Sequence, residues 1–191
     1  MNFSKNFKKL KGDASVRVFF RNKKKSSTSI TVYTNKDKKT NLLIYDCINK
    51  TLIKNGILAP KLLSENYSKN YIEIQDFGNQ TIFSLFKKGS VNKIKIFEQI
   101  INLLNKIQLI QKKKIKNFKN KMYIIPTYTS KILEDEAKLF SSWYIVKNLK
   151  RSEQKNFKKT YHKIIKDLIK QIYLKNDTFV HKDFHISNLM M

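Results

Sequence analysis

Thr178-Phe179-Val180-His181-Lys182-Asp183-Phe184-His185-Ile186-Ser187-Asn188 is the stretch on which the reading of this chain turns. Residues 178–180 read as a short strand, and the strand runs straight into the pattern H-x-D-x-x-x-x-N. In phosphoryl transfer such an Asp accepts the proton of the attacking hydroxyl, and the Asn five residues on ligates magnesium. A short loop lets both side chains face one reacting phosphoryl group, where catalysis is mostly positioning and charge neutralisation. The plainer reading is that His, Asp and Asn are ordinary turn formers. His181 and His185 stand four apart, a metal-pair spacing on a helix, but the segment reads as a loop and has no suitably spaced third ligand. Two of the three histidines fall in this eight-residue window, which favours function over chance.

Upstream, the hydrophobic period is two. Residues 15–21 alternate, with Val16, Val18 and Phe20 on one face. Residues 29–34 alternate again around Ile30 and Val32, and polar residues 22–28 supply a hairpin connection. Residues 39–55 read as a helix with Leu43, Cys47, Ile48 and Leu52 on one side, stopped at Gly56. Pro60 makes residues 57–63 a short edge strand or an extended piece, and residues 71–77 are a cleaner strand. Beyond this point the period becomes 3.6. Helices are predicted over 91–112 (Ile94, Phe97, Ile101, Leu104, Ile107), 130–149 (Leu133, Ala137, Phe140, Tyr144) and 152–175 (Phe157, Tyr161, Ile164, Leu168, Ile172). Core packing is the expected role of these stripes; for Trp143 and Tyr144 a ligand-lining role stands beside it. Residues 111–121 read as a basic connector. The fold class is α+β in two layers, a small β-rich lobe followed by a mainly helical one, with residues 75–79 crossing between them.

The formal charge of +26 raises the question of a polyanionic partner. Only Arg17, Arg21 and Arg151 among the 40 basic residues are arginines, and the lysines are scattered. Surfaces that read phosphate and base edges usually use arginine's planar fork as well. Solvated lysines in a chain rich in Lys, Asn and Ile fit better, so no specific nucleic-acid partner is expected. No run approaches the roughly 18 apolar residues needed to cross a bilayer. Cys47 is the single cysteine. A soluble, cytoplasmic protein without membrane insertion is expected.

Set beside one another, these segments resemble the aminoglycoside phosphotransferase (choline kinase-like) family. Within it they are most similar to the bacterial anomeric N-acetylmuramate and N-acetylglucosamine kinases of cell-wall metabolism. Residues 181–188, continued by Leu189-Met190, resemble the family's catalytic loop. Gly12-Asp13-Ala14-Ser15-Val16-Arg17 resembles the group's G-D-A-S-x-R box. Residues 56–60 with 71–83, including Asp76-Phe77-Gly78, resemble its G-x-x-x-P and D-L-G-D-x-T stretches. Pro126-Thr127-Tyr128 followed by Glu136, Leu139, Phe140, Trp143 and Tyr144 resembles its P-x-Y and E-x-x-L-F-x-x-W-Y helix. The boxes occur in family order over nearly the whole chain.

The resemblance implies a protein kinase-like fold with an N-lobe at 1–78 that binds nucleotide. A partial helical C-lobe at 79–191 would carry the catalytic loop. It implies ATP and Mg2+ as cofactors, a small sugar acceptor, and a place in peptidoglycan recycling. Asp183 would be the catalytic base, Asn188 a magnesium ligand, and His181 a brace for the loop. Gly12, Asp13, Ala14 and Ser15 would cover the ATP phosphates, where small residues let backbone N–H groups approach. Gln75, Asp76 and Phe77 would be the hinge whose backbone bonds adenine. The lysine expected on the third strand and its carboxylate partner are not assigned: Lys36, Lys38 and Lys39 lie near the place, and Asp46 is the one acid in the following helix. A second magnesium-binding Asp should follow Asn188, yet the sequence stops at Met191. A truncated C-lobe is therefore expected, with no appreciable activity and marginal solubility for residues 1–191 alone. The alternatives are a non-catalytic nucleotide-binding remnant of the family and, behind it, a basic nucleic-acid-binding protein.

Overall fold

Val32, Leu42 and Ile72 are completely buried, and they meet on one side of a sheet. The computed structural model describes residues 7–10, 16–24, 26–89, 91–111 and 113–191. Its main sheet holds β1 (Phe7–Lys9), β2 (Arg17–Lys23), β3 (Thr28–Thr34), β4 (Leu62–Asn66) and β5 (Tyr71–Gln75), in the order β1-β2-β3-β5-β4 with antiparallel neighbours. Phe19 lies opposite Val32, and Val32 opposite Ile72; Arg21 lies opposite Ile30, and Ile30 opposite Ile74. Directly paired residues share a face, so these side chains line one side. Helix α1 (Thr40–Lys54) covers it with Leu42 and Tyr45. The packed side of β2 is therefore that of Phe19, Arg17 and Arg21, while the expected stripe of Val16, Val18 and Phe20 lies on the other.

Helix α1 ends where Gly56 predicts. Gly56 N–H donates to Ile53 O and Ile57 N–H to Leu52 O, both at 3.0 Å, with Gly56 at φ +71°. This is a Schellman turn, closed by the packing of Leu52 and Ile57 in one core cluster. The buried positions of α1 are Leu42, Asp46, Cys47, Thr51 and Leu52, so Leu42 rather than Leu43 leads the inner face. Residues 57–61 lie outside any strand, and the edge strand β4 runs over Leu62–Asn66, so only the last two residues of the expected span belong to it.

Helices α2 (Ile82–Lys88) and α3 (Lys93–Gln108) follow the sheet. On α3 the buried residues are Ile96 and Ile107, while Ile94, Phe97 and Ile101 of the predicted stripe are exposed. The basic connector is partly a hairpin of β6 (Lys114–Lys116) and β7 (Met122–Ile124), turned at Asn117–Asn120. The backbone N–H of Phe118 in that turn donates to the buried Asp46 carboxylate. Residues 178–180 are not a strand. Phe179 instead enters the core with Ile57, Ala59, Ile107 and Ile110.

The described residues up to 125 form one compact unit with residues 179–191, and residues 126–178 form a second. The second contains α4 (Ser130–Leu139), a π-helical turn (Phe140–Tyr144), α5 (Ile145–Asn148) and α6 (Arg151–Lys170). The sequence reading has one helix over 130–149. The π turn interrupts it, with the Ile145 N–H reaching back to Phe140 O. Across the turn Phe140 stacks on Tyr144, with centroids 5.1 Å apart, and packs against Tyr161 of α6 at 5.3 Å. Trp143 is 76% exposed, which removes core packing as its role in this unit. Ser141, at the turn, is buried and bonded to His162 Nε2 of α6 at 2.8 Å.

Candidate functional site

The loop 181–191 is held by the start of α2. Ile82 N–H donates to Leu189 O at 2.9 Å, Phe83 N–H to Ile186 O at 3.1 Å, and Met191 N–H to Gln80 O at 3.2 Å. Ile82 and Phe83 open the helix, where backbone N–H groups have no partner one turn earlier. The loop supplies two of the missing carbonyls. Thr81 Oγ1, as N-cap, accepts from Ser84 N–H. A helix start thus fixes the loop backbone at three points.

Within the loop, Asp183, His185 and Asn188 meet. Asn188 Nδ2 donates to Asp183 Oδ2 at 2.7 Å and to Asp183 O at 3.1 Å. His185 Nε2 lies 3.1 Å from Asp183 Oδ1 and 3.1 Å from Asn188 Nδ2. Ser187 N–H donates to His185 Nδ1, and Asn188 N–H to His185 O. Lys182, just before the aspartate, sits at φ +68°. That conformation costs a β-carbon residue roughly 1–2 kcal/mol and collects at functional turns. The His181 ring packs edge-on against Phe184, with centroids 5.8 Å apart. Burial pushes the His181 imidazole below its ordinary pKa, while the charge and backbone of Asp183 pull weakly the other way.

At the end of β5 the three hinge candidates part company. Gln75 ends β5, and its N–H is taken by Lys61 O. Asp76 turns its carboxylate inward, where the side chain is only 3% exposed. Arg21 Nε meets Oδ2 at 2.6 Å, and Nη2 meets Oδ1 at 2.9 Å. The same guanidinium donates to Gly78 O and Asn79 Oδ1, and Gly78 N–H closes on Asp76 Oδ1. Phe77 follows, half-buried. Burial raises the Asp76 pKa, but hydrogen bonds from Arg21, Gly78 and Thr28 and the charge of Arg21 outweigh it, so the net shift is downward. Glu73 is lowered in the same way, with burial opposed by Lys24, Ser29 and Ser64.

These shifts set an acid profile in two stages. His181 has a folded pKa below its unfolded value, so the unfolded chain takes up the proton first. Stability should decline as pH falls from about 6.5 toward the lowered pKa. Asp76 and Glu73 are also lowered, so their contribution is complete above about pH 4 and disappears as pH falls through their folded pKa values. Urea midpoints measured from pH 8 to pH 3 should show both declines, and Asp76→Asn should flatten the second.

Gly12, Asp13, Ala14 and Ser15 lie outside the described residues. The third strand carries no lysine, and Lys36 and Lys38 sit in a 3-10 turn beyond its end. Lys39 Nζ stands over the Tyr67 ring at 4.8 Å. Asp46 is buried and bonded to Lys50 Nζ at 2.8 Å and to Phe118 N–H at 2.9 Å. The sheet's α1 side presents Arg17 and Arg21 instead, from β2. The sequence reading did not single out the Arg21 network or the contacts of His185. The scarcity of arginine was the available signal, because a bidentate, several-partner role is what lysine cannot fill.

A mixed α/β chain with an antiparallel sheet, a covering helix and a loop that pairs Asp with Asn is compatible with the two-lobed arrangement of kinases. Its sequence relatives agree. The chain is 22% identical over 136 residues to an N-acetylmuramate/N-acetylglucosamine kinase of Pseudomonas aeruginosa. It is 20% identical over 181 residues to the protein of the same name in Neisseria meningitidis. These matches cover 71% and 94% of this chain, but it spans only 37% and 51% of those relatives. No family model matches it. Among the described residues no helix is long and apolar enough to cross a membrane. Nor do these residues contain a cluster of three or more His, Cys, Asp or Glu side chains arranged to hold a metal.

Proposed function

We propose that the chain is part of an ATP-dependent phosphotransferase of the aminoglycoside phosphotransferase type, with a protein kinase-like fold. Its acceptor is the hydroxyl of a sugar or amino sugar. The observation that carries this reading is the paired Asp183 and Asn188 on a loop pinned to α2, in a chain similar to two amino-sugar kinases. Asp183 accepts the hydroxyl proton as the acceptor oxygen attacks the γ-phosphorus and the bond to the bridging oxygen breaks. Asn188 spends its Nδ2 on Asp183, which leaves Oδ1, an oxygen of the kind magnesium takes. Asn188 would hold that ion, whose chemistry is neutralising phosphate charge.

Residues 1–78 form the nucleotide-binding lobe in this reading, and residues 79–191 carry the catalytic loop. Gly12, Asp13, Ala14 and Ser15 cover the phosphates. Gln75, Asp76 and Phe77 form the hinge, with Asp76 fixing its path through Arg21 and the backbone of Phe77 left for adenine. The reaction belongs to the cytoplasm, where ATP is available, and to the salvage of cell-wall sugars. Magnesium-dependent ATP consumption by the intact protein, with and without N-acetylmuramate or N-acetylglucosamine, tests the proposal. Sugar-dependent consumption is expected. ATP binding without turnover selects the non-catalytic alternative, and absence of ATP binding rejects both.

A further inference from the structure

We infer that His185 is a positioning residue that holds the Asp183 carboxylate through an Nε2–H···Oδ1 hydrogen bond. The inference rests on the role proposed above for Asp183. Three contacts meet the ring: Ser187 N–H at Nδ1, Asp183 Oδ1 at Nε2, and Asn188 Nδ2 at Nε2. A ring protonated only on Nε2 satisfies the first two, since Nδ1 is then an acceptor and Nε2 a donor. The opposite tautomer satisfies only the third and sets a lone pair against a carboxylate oxygen. A doubly protonated ring turns an N–H against the N–H of Ser187. The two hydrogens of Asn188 Nδ2 already have acceptors in Asp183 Oδ2 and Asp183 O. The Nε2–H tautomer is therefore the one the loop selects.

The consequence lies in the carboxylate. Its side chain is 71% exposed, so packing does little to fix its rotation. His185 on Oδ1 and Asn188 on Oδ2 grip both oxygens, and each oxygen keeps a second lone pair for an incoming hydroxyl. Without the imidazole, one oxygen is released and the group rotates about its terminal bond, where the torsional wells are broad. Misplacement of a reacting group by an ångström is enough to cost about a hundredfold in rate.

The test has two arms. In the intact protein, His185→Ala should lower kcat about ten- to a hundredfold while KM for ATP stays unchanged. His185→Gln should restore most of it, because the glutamine Nε2 can occupy the position of the imidazole Nε2 and donate likewise. His185→Asn places its amide only at the Nδ1 site and should not rescue. Nitrogen-15 spectra of this chain in mildly alkaline buffer, where imidazoles are neutral, should show His185 protonated on Nε2, with that preference lost in Asp183→Ala. Wild-type kcat in His185→Ala, beside an inactive Asp183→Asn, overturns the inference and spares the proposed function. Unaltered turnover in Asp183→Asn overturns both. If no turnover is found, the spectrum decides, and a ring protonated on Nδ1 or averaging between tautomers is the adverse result.

Discussion

Asp183→Asn should remove two to four orders of magnitude of sugar-dependent turnover while ATP binds nearly as before; a positioned general base contributes about that much. The substitution keeps the side chain's size and leaves an oxygen that can accept from Asn188 or His185. The loop is also fixed independently, by Ile82 N–H, Phe83 N–H and Met191 N–H on its own backbone or its anchor. Collapse of the loop is therefore not the expected cause of inactivity. The amide cannot accept the hydroxyl proton, and its NH2 end turns a donor toward one of two existing donors. Steady-state kinetics together with an ATP titration measures both quantities. Near wild-type kcat in the variant would remove Asp183 from the mechanism.

The largest effect on stability should come from Arg21→Ala. It strands the Asp76 carboxylate, whose side chain is 3% exposed, and frees Gly78 O and Asn79 from their donor. Removing one partner of a buried pair costs about 3–5 kcal/mol. The urea midpoint should fall accordingly. Arg21→Lys should recover little, because one ammonium cannot reproduce the fork on both carboxylate oxygens and the two further acceptors. Replacing both Arg21 and Asp76 by apolar residues of similar volume should cost less than either single change, since the double replacement leaves no unpaired charge. A loss below about 1 kcal/mol for Arg21→Ala would place the pair among ordinary surface ion pairs.

Legibility in the sequence followed the physics of each element. The period-two runs became β2, β3 and β5, and Gly56 stopped α1 as its left-handed φ requires. Where the reading failed, a long-range partner decided. Nothing local marks Leu42 over Leu43; the choice is made by where Val32 and Ile72 sit across the sheet. The β6–β7 hairpin was hidden in a lysine run because only Ile115 and Tyr123 carry its pattern. The exposure of Ile94, Phe97 and Ile101 reverses a stripe that helical spacing assigns to a core. The H-x-D-x-x-x-x-N spacing is legible in the sequence, but the hydrogen bonds that join Asp183, His185 and Asn188 are not. His185 enters through a tautomer and Arg21 through a fork of four contacts, and neither leaves a periodic trace.

The route of the chain through its first unit bears on the order in which it folds. Ile125 and Phe179 pack against the same core cluster, so the polypeptide leaves that unit and re-enters it at neighbouring points, with residues 126–178 as an inserted guest. The contacts that seat the loop on α2 therefore join positions about a hundred residues apart, and closure entropy must be met before such contacts return any stabilisation. The β2–β3 hairpin and the helices carry no such debt. During synthesis from the N-terminus, the sheet and α1 can assemble long before residues 181–191 emerge. The loop thus arrives after the sheet and helices it docks on, and until then the first turn of α2 waits with open backbone donors.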